Sequence, residues 1–175
     1  IVSGSCSLAS NRQVAHFKQT GRPSFGIDPT TLMQDHADVA SLVAQIREWA
    51  KPLLNQDNPI LVYATADAQT VSRLQQQCDA HLLGSRIEQL LGKVAQDLVE
   101  DGVGQLVVAG GETSGACVQA LAIEQMQIGP QIDPGVPWCF SELSAAGPRA
   151  GGLHLTLKSG NFGTDDFFTK AFQLL

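Results

Sequence analysis

Apolar and polar positions follow two different periods along the chain, and their order predicts a layered α/β domain. Short, wholly apolar runs occur at 60–64 and 106–109, as is typical of strands that are covered on both faces. Segments with apolar residues three and four positions apart follow such runs, which is the period of an amphipathic helix. The repeated order of strand and helix favours a largely parallel sheet with helices on both faces.

The same pattern fixes the expected elements. Strands are predicted at 1–2, 24–27, 60–64, 106–109, 126–128, 138–140 (at a sheet edge) and 154–157. Helices are predicted over 9–20, 35–54 and 82–100, and from Thr113 and Thr164 onward, with a further helical region that starts at Asp67 and breaks near Cys78. Expected helix caps are Ser7 or Ser10, Asp35 and Thr164, and 145–152 is expected to be a turn region.

Composition and charge argue against several classes of function for this protein. With 175 residues the chain is expected to be one domain, and its net charge of −6 argues against nonspecific nucleic-acid binding. No run is long and apolar enough to cross a membrane. The four cysteines show no metal-ligand spacing, so we interpret them as reduced cysteines of a cytoplasmic protein.

Glycine- and serine-rich loops follow three of the predicted strands, at 3–7, 110–115 and 158–163. Such loops lie together at the carboxyl edge of a parallel sheet, where ligands bind. The first offers hydroxyl groups, the second offers backbone N–H donors at a helix start, and the third adds a lysine. Together they would suit a phosphorylated ligand such as a nucleotide.

The common nucleotide fingerprints are absent from these loops. The central loop lacks the lysine of a P-loop, and it lacks the G-x-G-x-x-G of a dinucleotide fold. A glycine-rich loop at a strand end is also an ordinary tight turn. The pattern alone therefore leaves a phosphate site and a structural turn equally open.

Three motifs, in order along the chain, carry a family resemblance. They are Ser-Gly-Ser-Cys-Ser at 3–7 with Gln13 and Val14, Val-Val-Ala-Gly-Gly-Glu-Thr-Ser-Gly at 107–115, and Leu-Lys-Ser-Gly-Asn-Phe-Gly at 157–163 with Asp-Phe-Phe at 166–168. The chain resembles the C-terminal, nucleotide-binding domain of the four-carbon acid sugar kinases, the 3-oxo-tetronate kinase group. That family usually has Thr where this chain has Ser10, so the hydroxyl is retained.

The resemblance implies ATP- and Mg²⁺-dependent phosphorylation of a hydroxyl on a four-carbon sugar acid. In that family a preceding domain holds the sugar acid, and this chain, which opens on Ile1 without Met, is expected to lack that domain. The catalytic base and the substrate specificity are expected to lie there, so this chain alone should bind nucleotide weakly and turn over nothing. The expected nucleotide contacts are Ser5, Ser7, Gly110, Gly111, Glu112, Thr113, Lys158, Ser159, Gly160 and Gly163.

Specific roles are expected for four of these residues. The N–H groups of Gly110 and Gly111 would cradle phosphates, and Thr113 would both cap the helix and touch the ligand. Glu112 would hold Mg²⁺ through water, or else simply favour the helix dipole. Lys158 would place its charge on the phosphates, or else be a surface lysine at a strand end.

Other residues are expected to be structural. Asp165 and Asp166 should stabilise the start of the last helix, or else act as a base or metal ligand. Phe162 should pack in the core, or else beside the nucleotide, and no metal-ligand set is predicted. Two other classes remain open: a non-catalytic module that binds a phosphorylated metabolite, and a different α/β enzyme such as a dehydrogenase. A homo-oligomer is compatible with the kinase interpretation.

Overall fold

In a computed structural model of the protein, the described residues are 1–33, 38–54, 58–66, 70, 79–143 and 152–175. The strands are β1 (Val2–Ser3), β2 (Ser24–Gly26), β3 (Leu61–Tyr63), β4 (Gln105–Ala109), β5 (Gln127–Asp133), β6 (Val136–Glu142) and β7 (Gly152–Lys158). The α-helices are α1 (Leu8–Gln19), α2 (Val39–Ala50), α3 (Ala80–Glu100), α4 (Gly111–Ala120) and α5 (Phe167–Lys170). Short 3₁₀ helices cover Pro29–Leu32 and Ala171–Leu174.

The described strands form one seven-stranded sheet in the order β2-β3-β1-β4-β7-β6-β5. In this order, the first five strands (β2, β3, β1, β4 and β7) pair in parallel. Strand β6 pairs antiparallel with β7, and β5 pairs antiparallel with β6. The largely parallel sheet is therefore confirmed. The predicted edge position of the strand around Trp138 was wrong, because β6 is enclosed between β7 and β5, and β5 forms the edge.

Helices cover both faces of the sheet, as predicted. On one face, side chains of α2, α3 and α4 pack on the strands, including Ile46, Leu90 and Cys117. On the opposite face, α1 and α5 form a second apolar cluster that includes Phe17 and Phe167. Fully covered strands explain the wholly apolar runs at β3 and β4.

Three of the described α-helices begin with a side-chain cap that satisfies a free N–H group of the first turn. Ser7 caps α1 by accepting a hydrogen bond from the N–H of Ser10 at 3.1 Å, as predicted. Asp38 caps α2, and Asp79 caps α3, which begins two residues before the predicted start. The predicted cap Asp35 lies outside the described residues, as do most of the helical region predicted from Asp67 and the turn region before Gly152.

The last two helices begin differently from the prediction. Helix α4 starts at Gly111, two residues before Thr113, and no side chain caps it. Helix α5 starts at Phe167 after Asp166, so Thr164 is not its cap. Its hydroxyl instead contacts Asp133, Asp166 and Lys170.

Candidate functional site

The three glycine- and serine-rich loops leave the same edge of the sheet, because β1, β4 and β7 lie side by side and are parallel. After β1 the chain continues through α1 on one face, and after β4 it continues through α4 on the other. Neighbouring strands whose connections leave on opposite faces open a crevice at their carboxyl ends, the usual ligand position in an open α/β sheet. The predicted convergence is confirmed.

The first and second loops are joined by backbone hydrogen bonds. The N–H groups of Gly4 and Ser5 donate to the carbonyl of Ala109 at 3.1 and 3.3 Å. Gly110 has φ 127°, a conformation that only glycine adopts readily. This turn brings the start of α4 against the first loop.

Thr113 fills the space beneath this junction. A Cβ added to Gly4 would lie 2.3 Å from the hydroxyl oxygen of Thr113, and one added to Gly110 would lie 2.8 Å from it. Thr113 is only 3% exposed. The predicted capping role of Thr113 is therefore wrong, and its side chain acts as a spacer between two glycine turns.

The third loop is fastened to the first through one carbonyl group. The carbonyl of Gly160 accepts hydrogen bonds from the hydroxyls of Ser7 at 2.6 Å and Ser10 at 3.1 Å, and from the ammonium of Lys158 at 3.1 Å. A Cβ added to Gly160 would lie 2.3 Å from the hydroxyl oxygen of Ser5. Ser5, Ser7 and Gly160, all predicted site residues, thus lie in direct contact.

Gln13 anchors the rest of the third loop. Its Nε2 donates to the carbonyls of Phe162, Gly163 and Thr164 at 3.0 to 3.1 Å, while Gly163 has φ 83° and lies against the Phe167 ring. The anchoring roles of Ser10 and Gln13 were missed from the sequence. The signal was their spacing, since Ser7, Ser10 and Gln13 are three residues apart and share one face of α1.

Lys158 lies beneath the third loop. Its side chain is fully buried, and its ammonium donates to the Ser10 hydroxyl at 3.3 Å and to the carbonyls of Ser159 and Gly160 at 3.1 Å. It forms no ion pair with any residue that the structure describes. Burial lowers the pKa of Lys158 to about 8. The surface-lysine interpretation is wrong, because the ammonium lies beneath the third loop and not in solvent.

Unpaired backbone donors line the crevice. Within the described ranges, the N–H groups of Gly111, Glu112 and Thr113 in the first turn of α4 have no acceptor, nor do those of Gly160 and Asn161. Free donors at a helix start, together with donors on an adjacent loop, favour an anion. The arrangement suits a chain of phosphates better than it suits an apolar ligand.

Side chains at the rim are open to solvent. Ser159 and Glu112 are exposed, and Glu112 adds negative charge near Glu88 of α3, whose pKa is raised first by burial and then by Glu112. Phe162 is 47% exposed, so its predicted place in the core was wrong. An exposed aromatic ring beside the loop can stack on a flat ligand group.

An ionic cluster fixes the chain that follows the third loop. Lys170 of α5 contacts Asp133 at the end of β5, and the N–H of Thr164 donates to the same carboxylate at 2.9 Å. Asp165 pairs with Arg12 of α1 at 2.8 Å, and Asp166 occupies the N-cap position of α5 without a side-chain cap bond. The two aspartates thus tie the loop to its neighbours more than they cap the helix.

A groove of about 910 Å³ lies away from this edge, between α2, α3 and α4. Both of its cations are paired, since Arg47 and Lys93 contact Asp97. Neither the glycine turns nor the buried lysine line it. The carboxyl-edge crevice, with its unpaired donors and uncompensated cation, is therefore the candidate ligand site.

The described residues contain no group of three or more His, Cys, Asp and Glu side chains placed to hold a metal ion. No helix in the described ranges is long and apolar enough to span a bilayer.

The topology defines an open-sheet α/β domain with the candidate ligand site at its switch point. Over residues 1–168 the chain matches the family described as the nucleotide-binding C-terminal domain. The chain belongs to this family.

Curated relatives match along the whole chain. It is 44% identical over 171 residues to the 3-oxo-tetronate kinase of Pseudomonas fluorescens, covering 98% of this chain and 37% of the relative. It is 43% identical over 175 residues to the 3-oxo-tetronate kinase of Burkholderia multivorans, covering 100% of this chain and 38% of the relative. The chain thus spans under two fifths of the length of these relatives.

Solved structures agree with the fold. A crystal structure of a protein from Salmonella typhimurium LT2 superposes with a TM-score of 0.83 at 35% identity, over 99% of this chain and 40% of that one. A Haemophilus influenzae protein gives a TM-score of 0.82 at 33% identity, over 99% of this chain and 39% of its own.

Proposed function

We propose that the carboxyl-edge crevice binds ATP, and that the chain is the nucleotide-binding part of a kinase that phosphorylates a hydroxyl of a four-carbon sugar acid of the 3-oxo-tetronate type. The observation that carries the proposal is the meeting of three loops with unpaired N–H donors in a family defined by nucleotide binding. The curated relatives named as 3-oxo-tetronate kinases supply the reaction class.

The residues fit the anionic part of ATP. The N–H groups of Gly111, Glu112 and Thr113 would face phosphate oxygens at the start of α4, and the N–H groups of Gly160 and Asn161 would face them from the third loop. Ser5 and Ser159 add hydroxyl groups at the rim. Phosphoryl transfer needs this kind of positioning and charge stabilisation rather than a covalent nucleophile.

Mg²⁺ would enter as the partner of the phosphates. Glu112 is the exposed carboxylate at the crevice and would hold the ion through water, since Mg²⁺ commonly keeps several waters and binds one or two carboxylates together with phosphate oxygens. The ion would neutralise charge on the transferring phosphoryl group.

The remaining parts of the reaction belong to residues beyond this chain. The relatives are more than twice as long as the matched region, which supports a two-domain kinase in which a separate domain holds the sugar acid and supplies the base. On this proposal the protein works in the cytoplasm. This chain alone would bind nucleotide without turning over a sugar acid, and self-association stays a prediction.

Thermal unfolding with and without ATP and Mg²⁺ tests nucleotide binding directly. A ligand present at about 100 times its dissociation constant stabilises the folded state by roughly 2.7 kcal/mol, which raises the unfolding midpoint measurably. NAD serves as the comparison ligand, because a dehydrogenase would respond to it. A midpoint raised by NAD and not by ATP would overturn the proposal.

Two glycines of α4 give a matched pair of variants. A Cβ added at Gly111 or at Gly115 meets no atom within 4 Å, so both positions tolerate a side chain. Gly111→Val would block the approach of phosphates to the helix start, whereas Gly115→Val lies one turn further along. The ATP response should disappear in the first variant and persist in the second.

A further inference from the structure

The least expected feature of the crevice is a buried lysine without a carboxylate partner. Lysines are almost never fully buried unless they are paired, yet Lys158 is inaccessible, and no described residue forms a salt bridge with it. Its three donor positions are all used, by one hydroxyl and two carbonyl oxygens. Hydrogen bonding is thus satisfied while the positive charge stays uncompensated.

The bonds from Lys158 fix the orientation of one peptide group. Lys158, Ser7 and Ser10 all donate to the carbonyl of Gly160, so this oxygen points inward. In a trans peptide the N–H of the next residue points the opposite way, and there are no cis peptide bonds among the described residues. The N–H of Asn161 therefore points away from the lysine, and no described acceptor takes it.

We propose that Lys158 is a positioning residue for the anionic end of the ligand: it holds the carbonyl of Gly160 inward so that the N–H of Asn161 faces the crevice, and it adds positive charge beneath that donor. This inference rests on the proposed ATP site and goes beyond it. Lys158 would act through the loop without touching the phosphates.

No neighbouring charged side chain that the structure describes forms an ion pair with Lys158. The charged or titratable groups on the elements around it are Cys6 of the first loop, Arg12, His16 and Lys18 of α1, Glu112 and Cys117 of α4, Cys139 and Glu142 of β6, His154 of β7, and Asp165, Asp166 and Lys170 after the third loop. Arg12 is paired with Asp165, Asp166 lies 3.6 Å from Lys170, and Glu112 is exposed. Strand β4, which pairs with β7, carries no charged residue. A phosphate chain would be the counter-charge that the fold does not supply.

Binding should consequently depend on pH. Lys158 has a pKa of about 8 in the ligand-free protein, so it loses its charge between pH 7 and 9. If the charged form is the one that binds, affinity for ATP and Mg²⁺ falls about tenfold over that interval. Tripolyphosphate, which carries the anion without the adenosine, should show the same fall.

Isothermal titration at pH 7, 8 and 9 tests the role, using the unaltered protein, Lys158→Met and the control Lys51→Met. Lys51 follows α2 and is 70% exposed, so its replacement removes the same charge at a distant surface. We expect Lys158→Met to bind at least tenfold more weakly at pH 7 and with no pH dependence, and Lys51→Met to behave as the unaltered protein does. Equal affinity and an equal pH slope in Lys158→Met would overturn the inference while leaving the ATP site intact.

Two further results complete the test. If the unaltered protein binds neither ATP nor tripolyphosphate at any pH, the proposed function and this inference fall together. If Lys158→Met does not fold, the amide resonance of Asn161 in the unaltered protein decides. It should shift with a midpoint near pH 8, and that midpoint should rise when tripolyphosphate is bound. A resonance that is insensitive to both pH and tripolyphosphate would overturn the inference.

Discussion

At the scale of single residues, Gly160 is the position where the third loop approaches the first most closely. A Cβ in Gly160→Ala would lie 2.3 Å from the Ser5 hydroxyl oxygen and 3.2 Å from Cβ of Ser7. The Ser5 hydroxyl can rotate away, but Cβ of Ser7 cannot, so the loop must shift by a few tenths of an ångström. We expect the unfolding midpoint to change little and ATP affinity to fall about tenfold, which titration calorimetry measures.

Gly115→Ala is the control for this prediction. It adds the same methyl group to a helix surface where no atom lies within 4 Å, and alanine is the better helix former. ATP affinity should stay unchanged and the midpoint should hold or rise. Equal affinity in both variants would mean that the contact of Gly160 with Ser5 does not shape the ligand site.

Lys158 also makes a prediction about stability in the absence of ligand. Burial holds its pKa near 8 in the folded state, against about 10.4 in an unfolded chain. Between these values the unfolded state binds more protons, so the free energy of unfolding rises with pH through that window. Chemical denaturation at pH 8 and pH 10 should show this rise relative to Lys158→Met, and an identical pH dependence in the two proteins would contradict it.

The sequence was sufficient to predict the three loops of this site, but it did not predict which of their side chains are buried. Glycine and serine clusters after apolar runs sufficed to place 3–7, 110–115 and 158–163 at one edge. Lys158 was expected to place its charge on the phosphates or else to be a surface lysine, and neither interpretation included its burial. Its burial depends on α1 packing over β7, a contact between positions about 150 residues apart. Thr113 was misjudged for the same reason, since only the approach of Gly4 reveals it as a spacer.

At the scale of elements, α1 links its own stability to the ligand site. Its cap, Ser7, accepts from the N–H of Ser10 and donates to the carbonyl of Gly160. Ser7→Ala removes both bonds, and we expect the free energy of unfolding to fall by about 2 kcal/mol. ATP affinity should fall as well, because the third loop loses one of its fasteners.

The cap of α2 separates these two effects. Asp38 accepts from the N–H of Ser41 at 2.9 Å on an exposed surface, so Asp38→Ala should cost about 1 kcal/mol without changing ATP affinity. Urea denaturation and calorimetric titration of both variants provide the measurements. If Ser7→Ala binds ATP as tightly as Asp38→Ala does, the cap of α1 is purely structural.

The local pattern of apolar residues predicts the covered strands well, but not the ends or the partners of the antiparallel strands. Runs such as 106–109 are apolar throughout and were located within a residue or two. Strand β5 extends five residues beyond its predicted end and β6 two residues beyond each end, because cross-strand pairing includes polar and proline-containing segments such as 129–131. The enclosed position of β6 likewise follows from its pairing with β7, and partner choice is not encoded in a local period.

At the scale of the whole molecule, the site depends on both faces of the sheet. Helix α1 and the third loop belong to one face, whereas α4 belongs to the other. Strands β1, β4 and β7 lie between these two faces, and most of their residues are buried. The geometry of the crevice is therefore kept only while both apolar clusters are packed, and we expect the two faces to unfold as one cooperative unit.

The two tryptophans allow this cooperativity to be measured, because they lie on opposite faces. Trp49 packs edge-on against Phe25 at 5.4 Å, while Trp138 is buried in the other cluster and donates from its indole N–H to the carbonyl of Ala171 at 2.9 Å. In Trp49→Phe the fluorescence reports Trp138, and in Trp138→Phe it reports Trp49. For each variant, the urea transition followed by fluorescence should coincide with that followed by far-ultraviolet circular dichroism. Transitions that separate would show that one face opens first, which would contradict a single cooperative unit.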